Sequence, residues 1–226
     1  MTPPPPTTDE SQGVMTIWFV RHAEKAPSGA GDPGISPNGR VEAIATAREL
    51  AARPIARVFS SPLLRAAETA ALNAEPHALG VEPTELLRER ANWGDLPGQT
   101  LAEFQSMWAS CSRDRDLAPP VGDSSRAAGR RLEDFVRRVS SRGSAGQHIV
   151  AVTHGGVLAD FLRNVFSERE LAAANAGFSV APYDGAVMRE CSITSIRTSR
   201  DGVALSSLAL TGHLAGRQGW LADARG

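Results

Sequence analysis

Two short apolar runs constrain this chain more than any other feature. Residues 15–20 read Met-Thr-Ile-Trp-Phe-Val, and residues 147–153 read Gln-His-Ile-Val-Ala-Val-Thr. Each is short, continuous and rich in β-branched and aromatic residues, which predicts a strand buried on both faces. Each ends at once in polar residues, Arg21-His22 after the first and His154-Gly155-Gly156 after the second.

Helical patterns fill the space between them. Ser36-Pro37 is an N-cap followed by proline at the first helical position. Val41, Ile44, Ala47 and Ala51 then recur at three- and four-residue steps, predicting a helix that ends near Ala52. Arg57 to Ser60 is a second short strand. Ser61-Pro62 repeats the cap signal and predicts a helix through about Asn73. A third strand is expected over Val81 to Leu87, and helices over Leu101 to Ser110 and Asp123 to Ser141. After the Gly155-Gly156 turn another helix should run to about Asn164. Two closing strands are expected at residues 192–198 and 203–209.

Strands alternating with helices of ten or more residues imply βαβ units. The expected fold class is therefore α/β, a three-layer α/β/α domain with a largely parallel central sheet. Ligands in such sheets bind beyond the carboxyl ends of the strands. Arg21-His22 and His154 fall just past strand ends, Arg65 in the first turn of the following helix, and Glu89 after the third strand. All four pieces are thus expected on one edge of the sheet. They offer two imidazoles, two guanidiniums and a carboxylate. Phosphoryl transfer through a histidine needs that set: a nitrogen to attack phosphorus, cations to hold the oxyanion and an acid for the leaving oxygen.

Composition narrows the setting. A chain of 226 residues suits one domain, and 42% apolar residues suffice for its core. A net charge of -1 does not suggest a nucleic-acid or anionic-membrane surface. Cys111 and Cys191 form no CxxC pair, so a structural zinc or redox motif is not expected. Residues 1–13 carry a proline run with Asp9 and Glu10 and no apolar stretch, so they are expected to be a disordered tail rather than a signal peptide. No run approaches the length of a membrane span. The expectation is a soluble, cytoplasmic protein of unspecified oligomeric state, acting on a small phosphorylated substrate.

The order of the pieces carries a resemblance. Phe19-Val20-Arg21-His22-Ala23-Glu24, the segment Ser60 to Ala70 and Val152-Thr153-His154-Gly155-Gly156 resemble the histidine phosphatase superfamily, which includes phosphoglycerate mutases and acid phosphatases. Ser36 to Arg40 is similar to the step before that family's first helix, and Cys191 to Thr194 to its Ser-Ile-Thr strand. The resemblance runs from about Val14 to about Leu214.

It implies that His22 is the nucleophile, that Arg21, Arg65 and His154 bind phosphate, and that Glu89 is the proton donor. It also implies that no metal or other cofactor is needed. Residues 14–226 would form the domain, with a small cap insertion at about 89–126. Trp93 and Trp108 would shape that cap. His213 resembles a C-terminal segment that lines the pocket in some relatives.

Three departures stand out. Ala23 replaces the family's usual glycine, and Lys25 replaces a following Thr or Ser. Glu89 lies five residues before Gly94 rather than four, which keeps Glu24 and Asp95 as alternative donors. The residues Lys25-Ala26-Pro27 stand where mutases usually carry Trp-Asn. A metal-independent phosphatase is therefore the expected activity. The alternatives are phosphoglycerate mutase-type transfer and a non-catalytic phospho-ligand-binding protein.

Overall fold

The computed structural model describes residues 14–27, 30–177, 188–200 and 202–215. The expected tail at 1–13 lies outside them. Six strands form one sheet: β1 (Met15–Arg21), β2 (Ile55–Ser60), β3 (Val81–Pro83), β4 (His148–Thr153), β5 (Ile193–Ser199) and β6 (Gly202–Leu210). Their order is β3-β2-β4-β1-β5-β6. The first four strands in that order run parallel, and β5 and β6 add an antiparallel hairpin against β1.

The two apolar runs seen in the sequence, β1 and β4, are neighbours at the centre of the sheet. Alternation along them sorts the core. Ile17, Phe19, Ile149 and Ala151 face one way, onto α4 (Ser125–Arg142) and α5 (Gly155–Val165), where Leu132, Phe135, Phe161 and Leu162 complete the larger cluster. Val20, Val150 and Val152 face the other way, onto α1 (Pro37–Ala51) and α2 (Leu64–Ala74) through Leu50, Ala66 and Ala70. Two buried faces explain why both runs read as continuously apolar. Two further helices, α3 (Leu101–Arg113) and α6 (Glu168–Ala174), complete the described α-helices.

Local chemistry moves several boundaries. Ser36 caps α1 as expected, its hydroxyl accepting the Gly39 N–H at 2.9 Å. Ser61 does not cap α2. That helix starts at Leu64 with Leu63 as an N-cap that makes no side-chain hydrogen bond. The third strand stops at Pro83, which has no N–H to extend the ladder, and a 3₁₀ turn occupies Glu85–Leu87. The helix α6 was not expected from periodicity. It carries a capping box between Ser167 and Glu170 that is legible in the sequence.

Candidate active site

Hydrogen bonds beyond the strand ends gather the site. The His22 N–H donates to the Thr153 carbonyl at 2.8 Å, continuing the β1–β4 pairing one step. The Ser61 N–H donates to the Val152 carbonyl at 2.9 Å, doing the same from β2. His22, Ser61 and His154 therefore emerge side by side from three adjacent parallel strands. The His22 and His154 ring centroids are 5.0 Å apart.

The His22 ring is oriented by its own loop. Its Nδ1 lies 2.7 Å from the Ala23 carbonyl, a contact that assigns the proton to Nδ1. Nε2 is left with its lone pair, 3.3 Å from Nε of Arg65. Thr69 holds the loop in place: its hydroxyl accepts the Ala23 N–H at 3.0 Å and donates to the Arg65 carbonyl at 2.7 Å. Ala23 is fully buried against Ala43, Leu72 and Leu214, so its extra methyl is absorbed by a small apolar cluster on the far side of the loop.

Both imidazoles are buried and held neutral. Burial is the main cause for His22, helped by the charges of Arg65 and Arg21, and it places the ring well below the ordinary histidine value. His154 is lowered well below that value for the same first reason, with His22, Arg65 and Arg21 adding to it. One nitrogen of His154 is hydrogen-bonded to Ser61 at 2.8 Å, while its buried Nδ1 has no partner among the described residues. A buried polar atom without a partner is costly unless a water or a ligand atom meets it.

Arg65 spreads its guanidinium over three contacts. Besides His22, one NH2 group reaches the Asn92 side-chain oxygen at 3.2 Å and the other reaches Asp32 at 3.3 Å. Burial lowers it from the ordinary arginine value, yet arginine keeps its charge at any working pH. Arg21 donates to the Met188 carbonyl and pairs with Glu190, and its Nε is buried without a partner among the described residues.

Glu89 is fixed at the start of α5. Its carboxylate accepts N–H groups from Gly156 at 3.0 Å, Val157 at 2.8 Å and Arg90 at 2.9 Å. The anion seated at this helix start is thus Glu89 itself, favoured there by the aligned amides. Gly156 is needed for that contact. A Cβ on Gly156 would stand 2.7 Å from both the Glu89 carboxylate and the Trp108 ring.

The other sequence candidates sit differently. The Glu24 carboxylate is bound by Ser36 at 2.5 Å and Asn38 at 2.8 Å, which ties it to the start of α1. Asp95 accepts the Asn92 N–H at 3.1 Å and so supports a residue that touches Arg65. Lys25 is exposed. Partial burial and the neighbouring charges of Arg65 and Arg21 lower its ammonium from the ordinary lysine value. His213 bonds Thr46 at 3.2 Å and the Cys191 carbonyl at 3.1 Å, among the residues beneath the His22 loop. Ser61, Asn92, Asp32 and Glu190 were not singled out from the sequence. Only Ser61, within the segment 60–70, had a signal nearby.

Comparison with known proteins identifies the family. The model of the histidine phosphatase superfamily (branch 1) matches residues 17–211. The chain belongs to this superfamily. A 2,3-bisphosphoglycerate-dependent phosphoglycerate mutase of Bartonella henselae is 29% identical over 160 residues, covering 63% of this chain and 77% of that protein. The solved structure of mycobacterial hydrolase 2 superposes with a TM-score of 0.68 at 23% identity, over 94% of this chain and 98% of that one. A mycobacterial glucosyl-3-phosphoglycerate phosphatase gives a TM-score of 0.63 at 23% identity, over 88% of this chain and all of that one. These structural likenesses speak to the superfamily's α/β fold. Among the described residues, no helix is long and apolar enough to cross a membrane.

The neutral His22 ring has a consequence for pH dependence. A depressed pKa means the His22 ring is charged only when pH falls well below 6.5. The acid limb of kcat/KM, which reports the free enzyme, is expected below that value once the substrate's own ionisation is allowed for. A limb at about 6.5 belonging to His22 would contradict the burial argument.

Proposed function

We propose that this protein is a phosphatase that hydrolyses a small phosphate monoester through a phosphohistidine on His22, without a metal ion. The observation that carries the reading is the aim of the His22 ring. Its Nδ1 is occupied by Ala23 and its Nε2 lone pair faces the Arg65 guanidinium.

In this reading Nε2 attacks phosphorus and the bond to the ester oxygen breaks. Arg65, Arg21 and His154 hold the three peripheral oxygens as charge redistributes. The orphaned Nδ1 of His154 supports its place in that set. Glu89 gives a proton to the departing oxygen. Two of its three N–H contacts fall on Oε1 and one on Oε2, which leaves Oε2 the freer oxygen for the proton. Water then attacks the phosphorus of the N–P adduct, Glu89 takes up its proton, and inorganic phosphate leaves. Residues 89–126 serve as the cap: Asn92 touches Arg65, and the Trp108 ring stands over Gly156 beside Glu89. Cys111 and Cys191 are buried and form no disulfide with each other, which suits a reducing cytoplasm.

The test is phosphate release in the presence of a chelator, from an aryl and from an alkyl phosphate, by the wild type and Glu89→Gln. The wild type is expected to release phosphate from both. Loss of Glu89 should slow the alkyl ester by roughly 10²-fold or more and the aryl ester far less, because only the poorer leaving group depends strongly on protonation. Equal losses on both esters would remove Glu89 from the role of acid. Transfer to an acceptor without release of phosphate would favour the mutase reaction.

A further inference from the structure

Next to Glu89 in sequence stands one half of a buried ion pair. Arg90 reaches Asp160 of α5 at 3.4 Å, and the two side chains are only 3% and 4% exposed. The other NH2 group of Arg90 meets α3, donating to the Ser112 hydroxyl at 2.5 Å and to the Trp108 carbonyl at 3.2 Å. Its guanidinium carbon lies 3.7 Å from the centre of the Trp108 ring, a position in which an indole face attracts a cation. Asp160 in turn accepts the Ser125 hydroxyl at the start of α4. One arginine therefore ties α3 to α5, the helix whose first turn seats Glu89.

The tie ends at the carboxyl group itself. A Cβ on Gly156 would meet Glu89 Oε1 and the edge of the Trp108 ring at the same 2.7 Å, so carboxyl and indole pack side by side against one glycine. The Arg90 N–H is one of the three that Glu89 accepts, at 2.9 Å. Moving Arg90 would thus disturb a donor and a wall of the seat together. The end of α3 is anchored separately. Arg115 donates to the Asp160 backbone carbonyl at 3.0 Å and to the Asn164 side chain at 2.6 Å, bonds that do not need the Asp160 carboxylate.

We propose that Arg90 and Asp160 are positioning residues for Glu89: the pair holds Trp108 against the carboxyl group and keeps that group seated on the Gly156 and Val157 amides. Its consequence for rate rests on the reading of Glu89 as the acid, and its consequence for geometry does not. Asp160 is the counter-charge that lets Arg90 lie so deep, because removing one partner of a buried pair strands the other.

Asp160→Asn tests this. It keeps the shape and an oxygen for Ser125 and leaves Arg90 without its counter-charge. Burial pushes the Asp160 carboxyl up to about 6, so wild type and variant are compared at about pH 8, where the pair is charged. Amide hydrogen exchange reads the seat directly. The Gly156 and Val157 amides, bonded to Glu89, are expected to exchange about tenfold faster or more in the variant, while Val150 and Val152 in β4 keep their rates. Ester hydrolysis reads the consequence. The kcat on an alkyl phosphate should fall about tenfold further than that on an aryl phosphate, with KM little changed, because a misplaced acid harms the poorer leaving group most.

Unchanged exchange at Gly156 and Val157 would overturn the proposal, whatever happens to turnover. Faster exchange there with equal losses on the two esters would uphold the positioning and remove Glu89 from the role of acid. Should Asp160→Asn fail to fold, or should Val150 and Val152 accelerate as well, Arg90→Lys decides. Lysine keeps a charge for Asp160 and loses the planar fork that reaches Ser112 and Trp108. Faster exchange confined to Gly156 and Val157 would uphold the proposal in that variant. Native rates at both amides, or an acceleration shared by β4, would overturn it.

Discussion

Replacing His22 with alanine is expected to remove turnover, by roughly 10⁴-fold or more, while the protein stays folded. The size follows from the role. A covalent nucleophile cannot be replaced in part by its neighbours, and what remains after its loss is only binding and charge stabilisation. The fold should survive because, among the described residues, the ring's hydrogen bonds are one to the adjacent Ala23 carbonyl and one from Arg65. The loop is held instead by Thr69, by the His22 N–H to Thr153 and by the burial of Ala23. Phosphate release and a thermal melt on the same preparation measure both halves. Appreciable turnover in a folded His22→Ala protein would end the phosphohistidine mechanism. The imidazole of His154 is 5.0 Å away, centroid to centroid, and is hydrogen-bonded to Ser61, so it is not expected to stand in.

Arg65→Ala is expected to raise KM and lower kcat together, with kcat/KM falling by about 10²- to 10³-fold. The Arg65 Nε donates to His22 Nε2, the nitrogen proposed to attack, at 3.3 Å, and the residue is almost wholly buried, so its charge acts with little screening. It would serve the bound ester and the transition state alike, which is why both constants should move. Its removal also strands Asn92 and Asp32, so Arg65→Lys is the informative companion. Lysine restores the charge without the planar fork and should recover binding better than rate. A variant with unchanged kcat would mean that Arg65 acts only on the ground state.

The parts of this site that the sequence shows are those tied to strand ends. The runs 15–20 and 147–153 are buried on both faces, so their apolar continuity is visible without a structure, and His22 and His154 follow directly from where they stop. Ser36 at α1 was legible because a cap is decided within three residues. Ser61 misled because the same Ser-Pro pair serves a different end: its hydroxyl meets His154, which is far away in sequence and unforeseeable from local pattern.

The long-range pairings were hidden for the same reason. Glu89 was a candidate by position, but its seat on the Gly156 and Val157 amides depends on packing between distant segments. The extra residue before Gly94 does not prevent that seat. The pairings Arg21–Glu190 and Arg65–Asp32 join loops that no periodicity relates. Glu24, two residues after His22 in sequence, is drawn off by Ser36 and Asn38 and so illustrates the opposite case.

The central claim concerns one nitrogen of one residue. Rapid quenching in alkali during turnover of a ³²P-labelled ester, followed by peptide mapping, tests it most directly. The account predicts label on the peptide that contains His22, stable in alkali and lost in acid, and absent from His22→Ala. Label on His154 or on a carboxylate, or full turnover with no protein-bound phosphate at any quench time, would contradict it.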